Sequence, residues 1–165
     1  MFIARNKIID DRAMKETKQM SVSAIQDGTV IDHVPAKNLF KVIQILGLDR
    51  IDNQITFGTN LESKKLGRKA IIKISGKFFE DKDINRIALV APEAKLNIIR
   101  DYEVVEKKIV EVPDNIVGIA KCMNPKCITN YETVTTRFKV FSKKNVALRC
   151  HYCDKITTQE NMKII

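Results

Sequence analysis

The four cysteines are the feature of this sequence that most restricts its fold. All of them lie near the end of the 165-residue chain, as a Cys122-x4-Cys127 pair and a Cys150-x2-Cys153 pair with 22 residues between the pairs. Each pair can form a turn that presents two thiolates to one tetrahedral ion, which is typical of a four-cysteine zinc site. Disulfides or four unrelated core cysteines are the less favoured alternatives, because a reducing compartment disfavours disulfides. We predict one Zn²⁺ per chain.

The predicted zinc ion has a structural role rather than a catalytic one. Four thiolates fill its coordination sphere and leave no position open for water or substrate. The segment that carries the cysteines, residues 112–165, is too short to build a large hydrophobic core, and domains of this size usually need a metal or a disulfide to hold them. The metal therefore stabilises a small domain made of short strands.

The basic net charge is weak evidence about partners. Lys and Arg exceed Asp and Glu by 29 to 20, which gives +9, but four thiolates and one divalent ion together carry −2. Four basic residues lie beside a cysteine or two residues from one and can compensate the thiolates: Lys121, Lys126, Arg149 and Lys155. Part of the basic excess is therefore explained by local neutralisation, and the rest leaves nucleic acid open as a partner.

A zinc-ribbon nucleic-acid-binding protein is the alternative function that the charge leaves open. Its stacking and phosphate-binding surface would consist of Tyr131, Phe138, Phe141 and Tyr152 among Arg137, Lys139, Lys143 and Lys144. Strand alternation places Phe138 opposite Arg137 and Lys139, which suits a small core as well as it suits stacking. Core packing is the favoured interpretation of Phe138.

The chain shows no membrane or secretion signal. Its apolar runs are much shorter than the ~18–20 residues that a membrane span needs. Arg5 interrupts the N-terminus before an apolar segment can develop, which does not fit a secretion signal. We therefore expect a cytoplasmic protein without a transmembrane helix.

The hydrophobic pattern predicts two domains. A boundary near Glu111–Asp114 separates an α+β domain over residues 21–111 from the cysteine-containing residues 112–165, while residues 1–20 form an extension. The first domain reads strand, helix, strand, strand, helix, strand, with one further strand. This order predicts two helices packed on one face of an antiparallel sheet, with the other face open.

Local signals place the elements of these two domains. One helix follows Pro35, carries Leu39, Phe40, Ile43 and Leu46 at helical spacing and ends at Gly47; the second begins at Asp81 and ends at Pro92. The strands are expected at 21–26, 29–31, 54–59, 69–75, 95–99 and 102–110 in the first domain, and at 133–140, 145–149 and 156–159 in the second.

Motifs of enzyme chemistry are missing from the sequence. It has no Gly-rich phosphate loop, no nucleophile elbow and no His-Glu-x-x-His, so we predict a protein that is not an enzyme. His151 lies between two cysteines and is interpreted as a turn residue. Asp32 and His33 precede a predicted helix, where they form either a turn and cap pair or a site that orients a phosphate or a base.

The chain closely resembles the regulatory chain family of aspartate carbamoyltransferase. The resemblance covers about residues 21–160, and it depends on the combination of motifs in order. These are Ala24–Ala36 with its Gly-Thr-Val-Ile-Asp-His, Ile55–Leu61, Gly67–Lys69, Ala91-Pro92, Asn97, Tyr102–Val105 with its Tyr-Glu-Val-Val, and the four cysteines.

The resemblance implies a non-catalytic subunit that controls pyrimidine biosynthesis. In this family a ferredoxin-like allosteric domain binds CTP or ATP and a zinc domain docks on the catalytic chain. The family also implies that two regulatory chains pair through their allosteric domains and that three such pairs link two catalytic trimers. The expected partners are therefore the catalytic chain, a second regulatory chain and the nucleotide effectors, without nucleic acid or membrane.

The resemblance also implies an effector site. Asp32 and His33 would lie near the nucleotide, Lys73 and Lys107 would bind phosphates or ribose, and Asn97 would lie at the triphosphate. The base and sugar would be framed by Val22, Ser23, Ala24, Ile25, Ile99, Tyr102 and Val104, several of them through main-chain groups. Strand alternation allows Lys73 to face away from the helices, but it places Val104 and Lys107 on opposite faces unless a bulge intervenes.

Overall fold

The structure, a computed structural model, describes residues 24–165. The extension 1–20 and two of the predicted effector residues, Val22 and Ser23, lie outside the described residues. The part of the predicted strand 21–26 that is described, Ala24–Gln26, is not a strand, and the first strand begins at Gly28. Gly28 has φ +140°, and a Cβ at this position would lie 2.0 Å from the Ile74 carbonyl oxygen. Only glycine therefore fits as the first residue of this strand.

The N-terminal half is an antiparallel sheet with two helices. Its strands are β1 (Gly28–Pro35), β2 (Ile55–Ser63), β3 (Gly67–Ser75), β4 (Lys95–Arg100) and β5 (Glu103–Ile109). The helices are α1 (Leu39–Ile45), which follows a 3-10 turn at Ala36–Asn38, and α2 (Asp81–Ile87). The strand order is β2-β3-β1-β4-β5, and every neighbouring pair is antiparallel. The predicted α+β ferredoxin-like arrangement is confirmed.

The helices cover one face of this sheet. Ile31 pairs with Ile72 across β1 and β3 and with Leu96 across β1 and β4, so the three side chains share a face, and all three are fully buried. Val42 of α1 and Ile84 of α2 belong to the same apolar cluster. Burying a large aliphatic side chain stabilises the fold by about 1.5–3 kcal/mol. The opposite face carries no helix among the described residues and includes the polar residues Lys73, Asn97 and Lys107.

Several element boundaries differ from the sequence expectations. Gly47 adopts the left-handed conformation (φ +62°) that ends α1, as predicted. Helix α2 ends at Ile87 rather than at Pro92, because residues 88–90 continue as turns. Phe40 was expected on the apolar stripe of α1 but is 70% exposed, and its ring contacts Phe57 of β2 at the sheet edge.

The C-terminal half consists of short strands arranged around the cysteines. A four-stranded sheet has the order β10-β9-β8-β6 and comprises β6 (Asn115–Val117), β8 (Arg137–Ser142), β9 (Ala147–Cys150) and β10 (Ile156–Thr158). A separate pair joins β7 (Ala120–Lys121) to β11 (Lys163–Ile164). The predicted strand 133–140 is shorter and begins at Arg137, because residues 133–136 are irregular.

The two halves pack on each other. Gln159 donates a hydrogen bond from Nε2 to the Leu89 carbonyl at 3.2 Å, and β11 lies against α1. Met162 is buried in the apolar cluster that also contains Val42. None of the helices between residues 24 and 165 is long and apolar enough to cross a membrane.

Candidate metal centre and effector face

The four cysteines converge on one point. Their Sγ atoms all lie within 4.8 Å of one another, with 3.6 Å between Cys122 and Cys153 and 3.8 Å between Cys127 and Cys150. None of them forms a disulfide. A tetrahedral ion with bonds of about 2.3 Å to sulfur needs sulfur atoms about 3.8 Å apart, so the observed spacing fits such an ion. The grouping of the cysteines into one metal-binding cluster is confirmed.

Local backbone geometry holds the first pair of cysteines in place. Asn130 donates from Nδ2 to the carbonyl oxygens of Cys122 and Asn124, at 3.2 and 2.7 Å, and closes the turn between the ligands. Thr129 donates from its hydroxyl to the Cys127 sulfur at 3.2 Å. Outer contacts of this kind orient the ligands and tune the metal. Asn130 and Thr129 were not predicted as site residues, although both follow closely on Cys127.

The second pair lies at the other end of the cluster. Cys150 ends β9 and Cys153 follows in the turn, with His151 between them. The His151 ring stacks edge-on against Tyr152 at 5.1 Å and does not belong to the metal-ligand group, as expected of a turn residue. Burial raises the pKa of the Cys122 and Cys150 thiols, so metal binding must displace their protons.

The open face of the sheet brings three of the predicted effector residues into one row. Lys73 pairs with Val30 across β3 and β1, Val30 pairs with Asn97 across β1 and β4, and Asn97 pairs with Lys107 across β4 and β5. Paired residues on adjacent antiparallel strands point to the same side. Lys73, Asn97 and Lys107 therefore share the face opposite to the helices, and two ammonium groups flank one amide.

A β-bulge in β5 resolves the parity conflict in the predicted site. Ile98 pairs with Glu106 but Ile99 pairs with Val104, so Val105 is the extra residue. An extra residue reverses the alternation beyond it. Val104 and Lys107 consequently lie on the same face, and both belong to the open face with Ile99.

The remaining predicted residues of the base end lie near the β4–β5 turn. Ala24 and Ile25 precede β1, and the chain beside them is fixed by hydrogen bonds from the Tyr102 amide to the Gln26 carbonyl at 2.9 Å and from the Gly76 amide to the Asp27 carbonyl at 2.9 Å. Tyr102 lies in the turn itself, with φ +66° and 65% of its surface exposed. Residues 24–27 thus close one end of the open face.

Asp32 and His33 lie at the other end of that face, on a second bulge. The pairing of β1 with β3 shifts between Ile31 and Val34, and His33 has φ +59°. The Asp32 carboxylate accepts a hydrogen bond from the His33 amide at 2.6 Å and another from Lys69 Nζ at 2.8 Å, and it lies 3.4 Å from His33 Nδ1. The turn and cap interpretation is partly met, because Asp32 binds the next amide, but it caps no helix. Lys69 is a member of this cluster that was not predicted from the sequence.

Neutralising Asp32 should destabilise the fold at neutral pH but not in acid. Burial acts to raise the pKa of Asp32, but the Lys69 hydrogen bond and the His33 amide outweigh it and hold the pKa below its usual value. A depressed folded-state pKa contributes stability above the unfolded value of about 3.9, and that stability is lost as the pH falls through the folded-state pKa. We expect Asp32→Asn to lower the free energy of unfolding by about 1–2 kcal/mol at pH 7.

Denaturant unfolding at pH 7 and at pH 3 checks this expectation. The difference between Asp32→Asn and wild type should shrink at pH 3, and any acid effect common to both proteins cancels in that difference. Asp49→Asn is the control, because Asp49 is 58% exposed and lies 3.9 Å from Arg50, so it should change the free energy of unfolding by less than about 0.5 kcal/mol. A difference that stays the same at both pH values would contradict the assigned ion pair.

The aromatic residues of the alternative nucleic-acid surface lie in different environments. Phe138 is 2% exposed and belongs to the core, as the favoured interpretation predicted. Phe141 has the Arg149 guanidinium over its ring at 5.0 Å. Tyr152 donates from its hydroxyl to the Thr135 carbonyl at 3.1 Å, and Tyr131 lies in the turn that follows Cys127.

An antiparallel sheet with helices on one face and an open face opposite, joined to short strands around four clustered cysteines, places the chain in the class of two-part α+β proteins with a four-cysteine metal centre. Residues 20–111 match the family described as aspartate carbamoyltransferase regulatory chain, allosteric domain, and residues 114–163 match that family's metal binding domain. The chain belongs to the aspartate carbamoyltransferase regulatory chain family.

Curated relatives carry the same description. The aspartate carbamoyltransferase regulatory chain of Bacteroides fragilis is 56% identical over 153 residues, which cover 92% of this chain and 100% of the relative. That of Pyrococcus horikoshii is 55% identical over 146 residues, which cover 87% of this chain and 96% of the relative. Because these are regulatory chains, the prediction of a non-catalytic subunit is confirmed, and membership implies a catalytic-chain partner. The alternative zinc-ribbon nucleic-acid-binding function is not favoured.

Proposed function

We propose that this chain is the effector-binding subunit of aspartate carbamoyltransferase: it binds CTP and ATP on the open face of the sheet, holds one Zn²⁺ in the cysteine cluster and links catalytic trimers. The observation that carries the proposal is the cross-strand row of Lys73, Asn97 and Lys107 on the face without helices. Two ammonium groups and an amide on one open surface suit a polyphosphate.

The dimensions of the open face support a nucleotide. The face runs from Gly28, which pairs with Ile99, to Asp32, which pairs with Lys95. Four residue steps along an extended strand span about 13 Å, which accommodates a base at one end and phosphates farther along. We assign Ala24, Ile25, Ile99, Tyr102 and Val104 to the base and sugar, together with Val22 and Ser23 from the part of the chain outside the described residues.

The polar residues of the open face are assigned to the phosphate end of the nucleotide. Lys73 is half-buried, and burial lowers its pKa below the ordinary value for a lysine. An ammonium group that has lost part of its hydration gains more from a bound phosphate than a fully hydrated one. Lys107 and Asn97 bind the triphosphate, and Asp32 and His33 lie at its far end, where Lys69 neutralises the Asp32 carboxylate.

The domain division follows from these two sites. We infer an allosteric domain over residues 21–111 and a zinc domain over residues 112–165 that docks on the catalytic chain. Exposed apolar side chains next to the cysteines, Met123 (44%) and Ile128 (50%), support docking at the metal end of the zinc domain. Two regulatory chains pair through their allosteric domains, and such pairs join catalytic trimers. The effectors act through a coupling free energy between the nucleotide site and the trimers, typically about 1–3 kcal/mol.

Calorimetric titration of the purified chain with CTP and with ATP tests the proposal. We expect saturable binding of at least one of the two nucleotides with one site per chain, in a preparation whose metal analysis gives one zinc per chain. A short single-stranded DNA oligonucleotide at two salt concentrations serves as the comparison, because non-specific nucleic-acid binding falls steeply with salt. Salt-sensitive DNA binding without nucleotide binding would overturn the proposed function.

A further inference from the structure

Strand β5 forms one edge of the N-terminal sheet, and among residues 24–165 no strand lies on its outer side. Three of its apolar side chains are exposed: Val104 by 48%, Val105 by 59% and Ile109 by 74%. An uncovered edge presents unpaired backbone N–H and C=O groups, and an apolar edge of this kind invites pairing with another segment. We call the outer side of residues 103–109 the β5 edge.

The carboxylates of β5 are poorly neutralised by their neighbours. Glu103 forms no ion pair in the described part of the chain, and the guanidinium group of its cross-strand partner Arg100 lies over an aromatic ring instead. Glu106 shares Lys108 with Asp81, and Asp81 is the closer of the two, at 2.9 Å against 3.8 Å. A segment that covers the β5 edge should therefore supply cations as well as apolar side chains.

The chain enters the described structure at the end of the sheet where β5 begins. The Gln26 carbonyl accepts a hydrogen bond from the Tyr102 amide at 2.9 Å, and the Asp27 carboxylate accepts one from the Asp101 amide at 3.3 Å. Residues 24–27 are thus fixed beside the β4–β5 turn. A preceding segment along the β5 edge would run toward this turn while β5 runs away from it, so the two would be antiparallel, like the other strand pairs of the sheet.

We propose that the N-terminal extension, residues 1–20, lies along the β5 edge and pairs with β5 as a further antiparallel strand. The seven residues of β5 span about 23 Å, and an equal number of extended residues covers them, so the extension is long enough. Its cations are Arg5, Lys7, Arg12, Lys15 and Lys18, against the acids Asp10, Asp11 and Glu16, and it also carries the strand-forming apolar residues Phe2, Ile3, Ile8 and Ile9.

The covalent connection favours the extension over a separate chain as the occupant of this edge. A segment joined to residue 24 by a short flexible link has an effective concentration on the order of millimolar beside the edge. Segments that add to an exposed sheet edge gain affinity from main-chain hydrogen bonds and specificity from alternate side chains. The inference goes beyond the proposed function and does not depend on the nucleotide site.

Hydrogen exchange of the full chain and of a variant without residues 2–20 tests the proposal. In the full chain, the amides of residues 103–109 that do not bond to β4 should exchange at least tenfold more slowly than in the deletion variant. The amides of β2, the opposite edge of the same sheet, are the internal control and should exchange within twofold of each other in the two proteins.

A charge exchange in the full chain tests the same pairing without a deletion. Glu103→Lys with Glu106→Lys should raise the exchange rate of the β5 edge several-fold, because it sets like charges against the extension. Adding Lys15→Glu and Lys18→Glu should restore part of the protection. The matched control adds Lys37→Glu and Lys64→Glu, two exposed cations of the described structure, and should restore none.

Each outcome supports or overturns the proposal. Faster exchange of the β5 edge in the deletion variant, together with rescue by the charge exchange, would support it. Exchange rates of the β5 edge within twofold of each other in the full chain and the deletion variant would overturn it. Protection that persists in the deletion variant and rises with protein concentration would assign the edge to a second copy of the chain and would also overturn it.

Discussion

Replacing Cys127 by serine should remove the bound metal and unfold the zinc domain. Cys127 is 1% exposed, its sulfur lies 3.8 Å from that of Cys150, and it accepts the Thr129 hydroxyl. Three remaining thiolates bind the ion more weakly, and the apparent free energy of zinc binding in small domains, about 10–16 kcal/mol, is also folding free energy. We expect metal content near zero and loss of association with the catalytic trimer.

The effect should extend only in part to the allosteric half. Loss of the zinc domain removes the contacts of β11 with α1 and the Gln159 hydrogen bond to Leu89, so α1 and α2 lose part of their cover. The sheet keeps its own buried row of Ile31, Ile72 and Leu96. We therefore expect nucleotide binding to survive in Cys127→Ser with reduced stability.

Metal analysis, circular dichroism and thermal unfolding check this prediction together. Lys126→Ser is the matched control, because Lys126 is an exposed neighbour in the same turn, and it should keep one metal per chain. Removal of the ion from wild type with a chelator should reproduce the variant, and restored Zn²⁺ should reverse the change in wild type alone. A Cys127→Ser protein that is folded and metal-free would show that the ion has no structural role.

The metal centre could be predicted from sequence because it is encoded locally. Two close pairs of cysteines each form their own turn, and a tetrahedral ion then brings the pairs together. The short strands β7 and β11 could not be predicted in the same way. Each has two residues, too few for a periodic pattern, and they exist because Lys121 and Lys163 are brought into register by the tertiary fold.

The open face of the sheet was predictable in part from strand alternation, but its strand pairing was not. Alternation along β3 correctly placed Ile72 and Ile74 on the helix side and Lys73 on the other. The bulge at Val105 has no comparable signal, because two consecutive valines fit either face equally well and the choice is made by pairing with β4. Lys69 was missed for a related reason, since its partner Asp32 lies 37 residues away.

The exposed side chain of Phe40 shows where the sequence pattern and the structure differ. Phe40 has the spacing of a core residue of α1, yet the sheet ends at β2 and leaves this side of the helix uncovered. Its ring meets Phe57 edge-on with centroids 6.2 Å apart. Helical periodicity gives the direction of a side chain, but the width of the sheet decides whether another residue covers it.

Replacing Lys73 by alanine should weaken nucleotide binding strongly and leave the fold unchanged. Lys73 lies in β3, between Thr56 of β2 and Val30 of β1, and forms one end of the cross-strand row that leads through Asn97 to Lys107. Hydrogen bonds to charged groups contribute about 1.5–3 kcal/mol, so loss of the ammonium group should weaken CTP or ATP binding about 10–100-fold. Zinc content should stay at one per chain, because the cysteine cluster belongs to the other half.

Lys108→Ala is the control, because it removes the same charge as Lys73→Ala but from the helix side of the sheet. Lys108 adjoins Lys107 in β5 but pairs with Leu96 and therefore lies on the helix side, where it binds Asp81 at 2.9 Å. Removing Lys108 changes the net charge by the same amount as removing Lys73, so the two variants share any long-range electrostatic effect. If calorimetry gives the same nucleotide affinity for both, Lys73 makes no direct contact; if only Lys73→Ala loses affinity, the phosphates lie on the open face.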